Sequence, residues 1–180
     1  TSISTATSMG DWSYKEFNNE TNIMEPMGKE GLYYINHRGA VEFTYKISAH
    51  NSIRTGGSVY SKNYRLNLDW YNNDNKTLEN ILNDNGGTEM YQSFIAWKYR
   101  PLQSVTINSG IHYTYLNLNG KQSVEPRIGL KWQITPRQAI TAGFGQHSKM
   151  ENVSLYLAKV YNSDNSFTRP NKNLDFIRAN

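Results

Sequence analysis

A regular alternation of apolar and polar residues runs through much of this chain and favours β-strands over helices. The clearest stretch is AVEFTYKISAH, residues 40–50. Because successive side chains of a strand point to opposite faces, this stretch predicts a strand with one apolar and one polar face. A soluble sheet turns such an apolar face toward a core. A membrane barrel turns it toward lipid and keeps the polar face in a wet interior.

The amino-acid composition favours the membrane alternative. Hydrophobic residues make up only 37% of the 180 residues and the mean hydropathy is −0.71, yet aromatic residues reach 13%, with 13 Tyr and 4 Trp. A soluble core normally needs more Leu, Ile and Val than this, and a disordered chain contains few aromatic residues. In an outer-membrane barrel only half of each strand meets lipid, and aromatic side chains gather at both interfaces.

Several other classes of protein are disfavoured by charge and composition. The net charge is +4 with a pI near 9.2, and Lys and Arg are scattered rather than grouped in a stripe, so nucleic acid is not expected as a partner. The chain has no Cys, which excludes disulfides and Cys-ligated zinc or iron–sulfur clusters. No run of 18 apolar residues occurs, so no transmembrane helix is predicted.

The predicted strands are joined by two kinds of connection. Short turns are predicted near residues 51, 102 and 136, and long polar loops at 18–39, 72–89 and 149–173. The short turns fall at one end of the sheet and the long loops at the other, as periplasmic turns and extracellular loops do in outer-membrane barrels. The predicted fold is therefore all-β: an antiparallel up-and-down meander of seven to eight strands that forms part of a larger transmembrane β-barrel.

Two local irregularities are also predicted. The apolar parity is not held through Gly56-Gly57, which predicts a bulge or a bend there. The stretch TLENIL, within the second long loop, is a candidate for one helical turn.

Parity along the strands divides the candidate wall residues into two sets. The lipid-facing candidates are Val41, Phe43, Tyr45, Ile47, Ile95, Trp97, Ile107, Ile111, Ile128, Leu130 and Trp132. The lumen-lining candidates are Glu42, Lys46, Asn108, His112, Glu125, Arg127, Lys131, Gly143 and Gly145. Trp97 and Tyr99 near the short-turn end, and Tyr113 and Tyr115 near the other end, are expected to form two interfacial girdles of aromatic rings.

The stretch SVEPRIGLKWQITPRQAITAGFGQHS, residues 123–148, carries a family likeness. The motif EPRIGLKW, a short turn with Pro, and the motif GFGQHS resemble the barrel of TonB-dependent outer-membrane receptors of the Bacteroidetes type, which often carry a carboxypeptidase-regulatory-like domain. NLDFIRAN, residues 173–180, is similar to the start of the next strand in that family, and the likeness extends over about three quarters of the chain.

The resemblance implies a nutrient importer in the bacterial cell outer membrane. Residues 1–180 would be one internal segment of the receptor barrel, without the plug domain or the TonB box. The expected partners are outer-membrane lipid, the receptor's own plug and TonB through the rest of the chain, and in some systems a surface lipoprotein. The resemblance does not identify the ligand, which in this family is a siderophore, a glycan or a similar nutrient.

The chemistry-bearing residues favour a wall over an active site. The charged row Glu125, Arg127 and Lys131 has two interpretations. It could contact a plug or a ligand, or it could simply keep a lumen wet, with Glu125 and Arg127 forming an ion pair. The second interpretation is favoured. Gly143-Phe144-Gly145 lacks the third glycine and the helix of a nucleotide-binding loop, so its glycines are read as small wall residues. The four histidines, His37, His50, His112 and His147, are too scattered to predict a metal site. No catalytic motif occurs, so neither an enzyme nor a cofactor is expected.

Two alternative functions remain open at this stage. The chain is also compatible with a small self-contained barrel of eight strands that serves adhesion or anchoring. It is compatible, too, with a soluble β-sandwich that binds carbohydrate through surface Trp and Tyr.

Overall fold

The computed structural model describes residues 2–18, 22–72, 74–162 and 166–180. It is dominated by one seven-stranded antiparallel sheet in which every strand pairs with its neighbours in the chain, and the sheet curls into a half-barrel. The strands are β1 Ser2–Asn18, β2 Ile23–Lys46, β3 Asn51–Asn72, β4 Thr77–Leu102, β5 Val105–Leu116, β6 Gln122–Thr135 and β7 Gln138–Gly145. The predicted all-β antiparallel meander is thus confirmed.

The connections divide the sheet into two ends. Residues 47–50, 103–104 and 136–137 form the short-turn end, where all three predicted turns are found. The junctions from β1 to β2, from β3 to β4 and from β5 to β6 fall at the opposite end, here called the far end. Residues 19–21 and 73, which belong to two of the predicted long loops, lie outside the described residues.

The first two predicted long loops are wrong, because most of their residues belong to paired strands. β2 starts at Ile23 and β4 at Thr77, and β3 and β4 pair from Asn72 and Thr77 down to Asn51 and Tyr99. The candidate helical turn TLENIL is likewise part of β4. Backbone pairing satisfies the peptide groups whatever the side chains are, so a paired strand can carry the Asn, Glu and Gly that resemble a loop in sequence.

Of the bulge or bend predicted at Gly56-Gly57, the bulge is wrong, since pairing there continues without a register shift. The irregularity of β3 lies instead between Leu68 and Asp69. Glycine is required at position 56 for space, because a Cβ there would come within 2.5 Å of the Val41 carbonyl oxygen. The apolar side chains of β3 lie on one face near the short-turn end and on the opposite face near the far end, so no single alternation holds along the strand.

The last segment of the chain folds back onto the sheet. After β7 come β8 (His147–Lys149), a short helix α1 (Val153–Leu157), β9 (Val160–Tyr161), β10 (Phe167–Thr168), a 3-10 turn (Pro170–Asn173) and β11 (Ile177–Ala179). β8 pairs with β11, so NLDFIRAN does lead into a further strand, as predicted. The third predicted loop, residues 149–173, holds no long strand in its described part but contains α1, β9, β10 and the 3-10 turn, while residues 163–165 lie outside the described part.

Helix α1 defines the two faces of the sheet, because it packs on one of them, the inner face, against β3 and β4. The core lies there, at the far end. Its buried members are Tyr64, Met90, Leu116, Met150, Val153, Tyr156, Leu157 and Phe176. Gly86 leaves space for the helix, since a Cβ there would lie 2.6 Å from Cδ1 of Leu157. The opposite, outer face leaves many large apolar side chains exposed, among them Phe43, Ile95 and Phe144.

Candidate functional site: the inner wall and the outer belt

The strand register places the two predicted sets of wall residues on opposite faces. Cross-strand partners share a face, and the rows Phe43–Thr55–Ile95–Ile111 and Glu42–Gly56–Phe94–His112–Glu125 run across the sheet side by side. All nine lumen-lining candidates lie on the inner face. Ten of the eleven lipid-facing candidates lie on the outer face of a strand, and Ile47 follows the end of β2. That one face meets lipid and the other a lumen stays a prediction.

An uncharged belt covers the outer face toward the short-turn end. It comprises the outer-face residues of 39–45, 53–59, 91–99, 107–115, 124–134 and 140–144, and none of them is Asp, Glu, Lys or Arg. Its apolar side chains are open to the surroundings: Phe43 is 64% exposed and Ile95 52%. Along β4 the belt and the turn below it run from Tyr91 to Leu102. At about 3.3 Å per residue and a tilt of about 45°, this span rises roughly 25 Å, the height of the apolar band of a membrane barrel.

Aromatic rings mark both margins of the outer belt. At the lower margin Trp97 stacks on Tyr99 with ring centroids 5.2 Å apart, and the indole N–H donates to Oδ1 of Asn51 over 3.1 Å. At the upper margin the rings of Tyr91 and Tyr115 lie 6.3 Å apart, and the Tyr91 hydroxyl donates to Glu89, which lies just outside the belt. Both margins thus turn ring polar atoms toward polar partners, the arrangement that suits amphipathic rings at a membrane–water boundary.

The inner face behind the belt, here called the inner wall, is strongly charged. It comprises the inner-face residues of 36–46, 52–62, 88–98, 106–114, 123–133 and 139–145. Its cations are Arg38, Lys46, Arg54, Lys62, Lys98, Arg127 and Lys131, and its carboxylates are Glu42 and Glu125. Over the height of the belt, these strands therefore carry charged residues on the inner face and none on the outer face.

Glu125 is the most buried charged group of the inner wall, with 3% of its surface exposed. It accepts a hydrogen bond from Arg127 Nη2 over 2.5 Å, which confirms the predicted pairing of these two residues. Its other oxygen accepts from the backbone N–H of Ser148 over 3.1 Å and from the Ser148 hydroxyl over 2.5 Å. These hydrogen bonds hold β8, the start of the last segment, against the inner wall.

The grouping of Ser148, Glu125 and His112 does not have the order of a nucleophilic triad. The Nδ1 atom of His112 lies 3.6 Å from Glu125 and has no hydrogen-bond partner. In a triad the imidazole lies between the hydroxyl and the carboxylate and takes the hydroxyl proton. Here the carboxylate lies in the middle and holds the hydroxyl directly, which is the geometry of an anchor.

A second buried carboxylate, Asp84, holds the last segment at the far end. Asp84 pairs with Leu66 across the sheet. It lies seven residues along β4 beyond Tyr91, which marks the upper margin of the belt. Lys159 Nζ lies 2.6 Å from one oxygen of Asp84, and the Tyr64 hydroxyl donates to the other over 2.6 Å. Burial alone would raise the pKa of Asp84, but the hydrogen bonds from Lys159 and Tyr64 outweigh it and hold the pKa below its ordinary value. Burial and the bond to Asp84 raise the pKa of the Tyr64 hydroxyl.

Sequence reasoning missed Asp84 and Lys159 because neither stands in a motif. Asp84 lies in NDNGG, a stretch typical of turns, and Lys159 lies in a segment predicted as a loop. Only the packing of α1 brings the two together. A hydrogen bond between the hydroxyls of Tyr34 and Ser154, 2.8 Å apart, also joins the last segment to the sheet.

The described residues contain no group of three metal-ligating side chains close enough to hold a metal ion. Within the same part of the chain, no helix is long and apolar enough to cross a membrane. No protein-family model matches the sequence, and no curated protein matches it either.

Proposed function

We propose that this chain forms part of the wall of a transmembrane β-barrel in the bacterial outer membrane, and that the barrel is that of a TonB-dependent receptor importing a nutrient. The observation that carries the first part is the division of charge between the two faces. The outer belt has no charged residue over six strands, while the inner wall of the same strands carries seven cations and two carboxylates.

The free energies of transfer explain why this division favours a membrane wall. A charged side chain facing lipid at the bilayer midplane costs about 2–4 kcal/mol, whereas a lumen tolerates charge. Exposed apolar surface costs about 25 cal/mol per Å² in water and nothing in lipid. A large open belt of Phe, Ile, Leu and Trp is therefore costly for a sheet in water and favourable for one in a bilayer.

The second part of the proposal rests on the resemblance of EPRIGLKW and GFGQHS to the receptor family. In such a receptor, ligand is captured at the extracellular side, and TonB then acts on the plug, with energy from the inner membrane, so that the lumen opens. The far end of the sheet would face outward, and the inner wall would surround the plug. This segment would contribute shape, charge and surface, with no covalent step of its own.

Site-directed labelling tests the membrane wall. The natural chain lacks Cys, so single Cys variants at Ile95, Ile111 and Leu130 report on the outer belt. Variants at Asn108 and Lys131 report on the inner wall of the neighbouring strands. With the chain reconstituted in lipid vesicles, a water-soluble maleimide is expected to react at least about tenfold more slowly with the outer set, because lipid excludes the reagent. Equal rates for the two sets would refute the membrane wall.

The complete reading frame tests the receptor assignment. A plug domain with a TonB box is expected upstream of Thr1 in the same frame. A frame that begins within a few residues of Thr1 with its own signal peptide would refute the receptor and favour the small self-contained barrel. Neither outcome would change what Cys labelling shows about the membrane wall.

A further inference from the structure

The inner wall carries more positive charge than its own carboxylates neutralise. Arg127 pairs with Glu125 over 2.5 Å, and Arg54 lies 3.8 Å from Glu42. In the described part of the chain, none of the other five cations has a carboxylate within ion-pair distance. These five are Arg38, Lys46, Lys62, Lys98 and Lys131.

Two of the unpaired cations converge on one aromatic ring. The Arg38 guanidinium lies 5.3 Å from the centroid of the Tyr60 ring, and the Lys62 ammonium lies 5.8 Å from the same centroid. The negative face of the ring attracts each cation, but the ring supplies no anion to neutralise either charge. Both cations therefore remain available to an external anion.

An open cavity of about 430 Å³ is lined by Arg38, the first of these two cations, while Lys62 lies outside its lining. Its polar lining includes Arg38, Ser58, Gln92 and His112, with Glu42 at one side. The Ser58 hydroxyl and the Gln92 amide belong to one row of hydrogen-bonding side chains that ends at Thr114. The cavity thus offers an oxyanion the Arg38 guanidinium and neutral hydrogen-bonding groups, while the Glu42 carboxylate in its lining lies 3.8 Å from Arg54.

A second cavity, of about 310 Å³, opens on the inner face at the short-turn end and is also cationic. Lys46, Lys98, Arg100 and His50 line it, and no carboxylate does. Lys46 and Lys98 flank Ser52 in one row of the sheet. Positive charge therefore recurs from the level of Lys62 down to the short turns.

We infer that the inner wall binds a small solute carrying several negative groups, such as carboxylates, phosphates or sulfates, with Arg38 and Lys62 as the primary contacts and Lys46 and Lys98 as a lower station. That this solute is the imported cargo rests on the proposed function, whereas the binding itself does not. A neutral wall would wet a lumen equally well, so the unpaired cations require a reason of their own. Complementary charge on a solute supplies it.

Calorimetric titration of the full chain in an uncharged detergent tests this inference. The probes are sucrose octasulfate and, as a neutral control on the same scaffold, sucrose. We expect the octasulfate to bind, sucrose to show no binding, and the octasulfate affinity to fall steeply between low and physiological salt because screening weakens each contact. Octasulfate binding no stronger than sucrose binding would overturn the inference.

Matched variants locate the binding. The triple variant Arg38→Gln, Lys62→Gln, Lys98→Gln should lose about tenfold or more in octasulfate affinity, since each exposed charge contact contributes a few-fold. The triple variant Arg38→Lys, Lys62→Arg, Lys98→Arg preserves the charge and should retain binding. That result would show that the Gln triple loses affinity through lost charge rather than through misfolding. The control triple Lys15→Gln, Lys29→Gln, Arg65→Gln removes equal charge from exposed positions outside the inner wall. An equal loss in this control would mean non-specific attraction and would overturn the site.

The outcomes are separable from those of the labelling test. Shielded outer Cys residues together with absent octasulfate binding would retain the barrel and remove the anion site. Octasulfate binding lost in the inner triple, together with freely labelled outer Cys residues, would retain the site and remove the membrane wall.

Discussion

The anchor of the last segment yields a quantitative prediction through Asp84→Asn. This change keeps the shape of the side chain and still allows the Tyr64 hydroxyl to donate to the amide oxygen. It removes the charge that faces Lys159 Nζ at 2.6 Å. The Lys159 side chain is only 16% exposed, so its ammonium is left largely without compensation.

The expected cost follows from the burial of the pair. Removal of one partner of a buried ion pair typically costs 3–5 kcal/mol. Lys159 retains some contact with water and with the face of the Phe167 ring, 5.0 Å away, so we expect about 2–3 kcal/mol here. That loss applies to the docking of α1 on the sheet, and at about 1.4 kcal/mol per tenfold it raises the population of the undocked state roughly 30- to 150-fold.

Hydrogen exchange followed by mass spectrometry measures this docking directly. Peptides that cover α1, Val153–Leu157, should exchange faster in Asp84→Asn by about the factor given above, because local opening sets the exchange rate. Peptides from β5 and β6 should be unaffected. Asp69→Asn is the matched control, since Asp69 is a strand aspartate that accepts a hydrogen bond from Asn80 and makes no ion pair within the described residues.

The pH dependence of the same exchange rate provides the second half of the test. The pKa of Asp84 is lower in the folded chain than in an unfolded one, where an aspartate titrates near 3.9. Its stabilisation is therefore complete above that value and is lost as the pH falls through the lower, folded-state pKa. The natural chain should release α1 progressively below about pH 4, while Asp84→Asn should lack this step. Unchanged protection of α1 in the variant at neutral pH would refute the reasoning.

Two further predictions concern the wall. Phe43→Lys, in the middle of the outer belt, should lower the stability of the chain in bilayers by about 2–4 kcal/mol, whereas Thr44→Lys, next to it on the inner wall, should be nearly neutral; denaturant titration in vesicles measures both, and equal effects would contradict the assignment of faces. Gly56→Ala should cost about 1–3 kcal/mol because its Cβ would come within 2.5 Å of the Val41 carbonyl oxygen, while Gly39→Ala, with no atom within 4 Å, should not. The unfolding midpoints of these two variants would agree only if the close strand approach at Gly56 were absent.

The outer belt was the part of the fold most accessible from sequence. Where one face is apolar and the other charged, as in Val41 to Lys46, a period of two specifies both the strand and the orientation of each side chain. The turns near residues 51, 102 and 136 followed from the same breaks in alternation. The pairing of Glu125 with Arg127 followed too, since residues two apart on a strand share a face.

The far end was not accessible in the same way. Between Asn83 and Glu89 every residue of β4 is polar or glycine, so alternation vanishes there and residues 72–89 resemble a loop in sequence. Pairing between β3 and β4 depends on the register of distant backbone groups, which leaves no local trace. The anchors at Asp84 and Glu125 depend on where α1 and β8 return to the sheet, and neither spacing nor composition encodes that return.

The long pairing of β2, β3 and β4 beyond the belt has a consequence for recognition. Flexible loops that close on a ligand lose conformational freedom, at about 1–2 kcal/mol for each residue that becomes fixed. At the far end that ordering has already taken place during folding, because residues such as Asn67 and Asn83 are held opposite each other in a ladder. A molecule that settles on this rim meets a preformed surface, and its selectivity should depend on fit rather than on rearrangement of the protein.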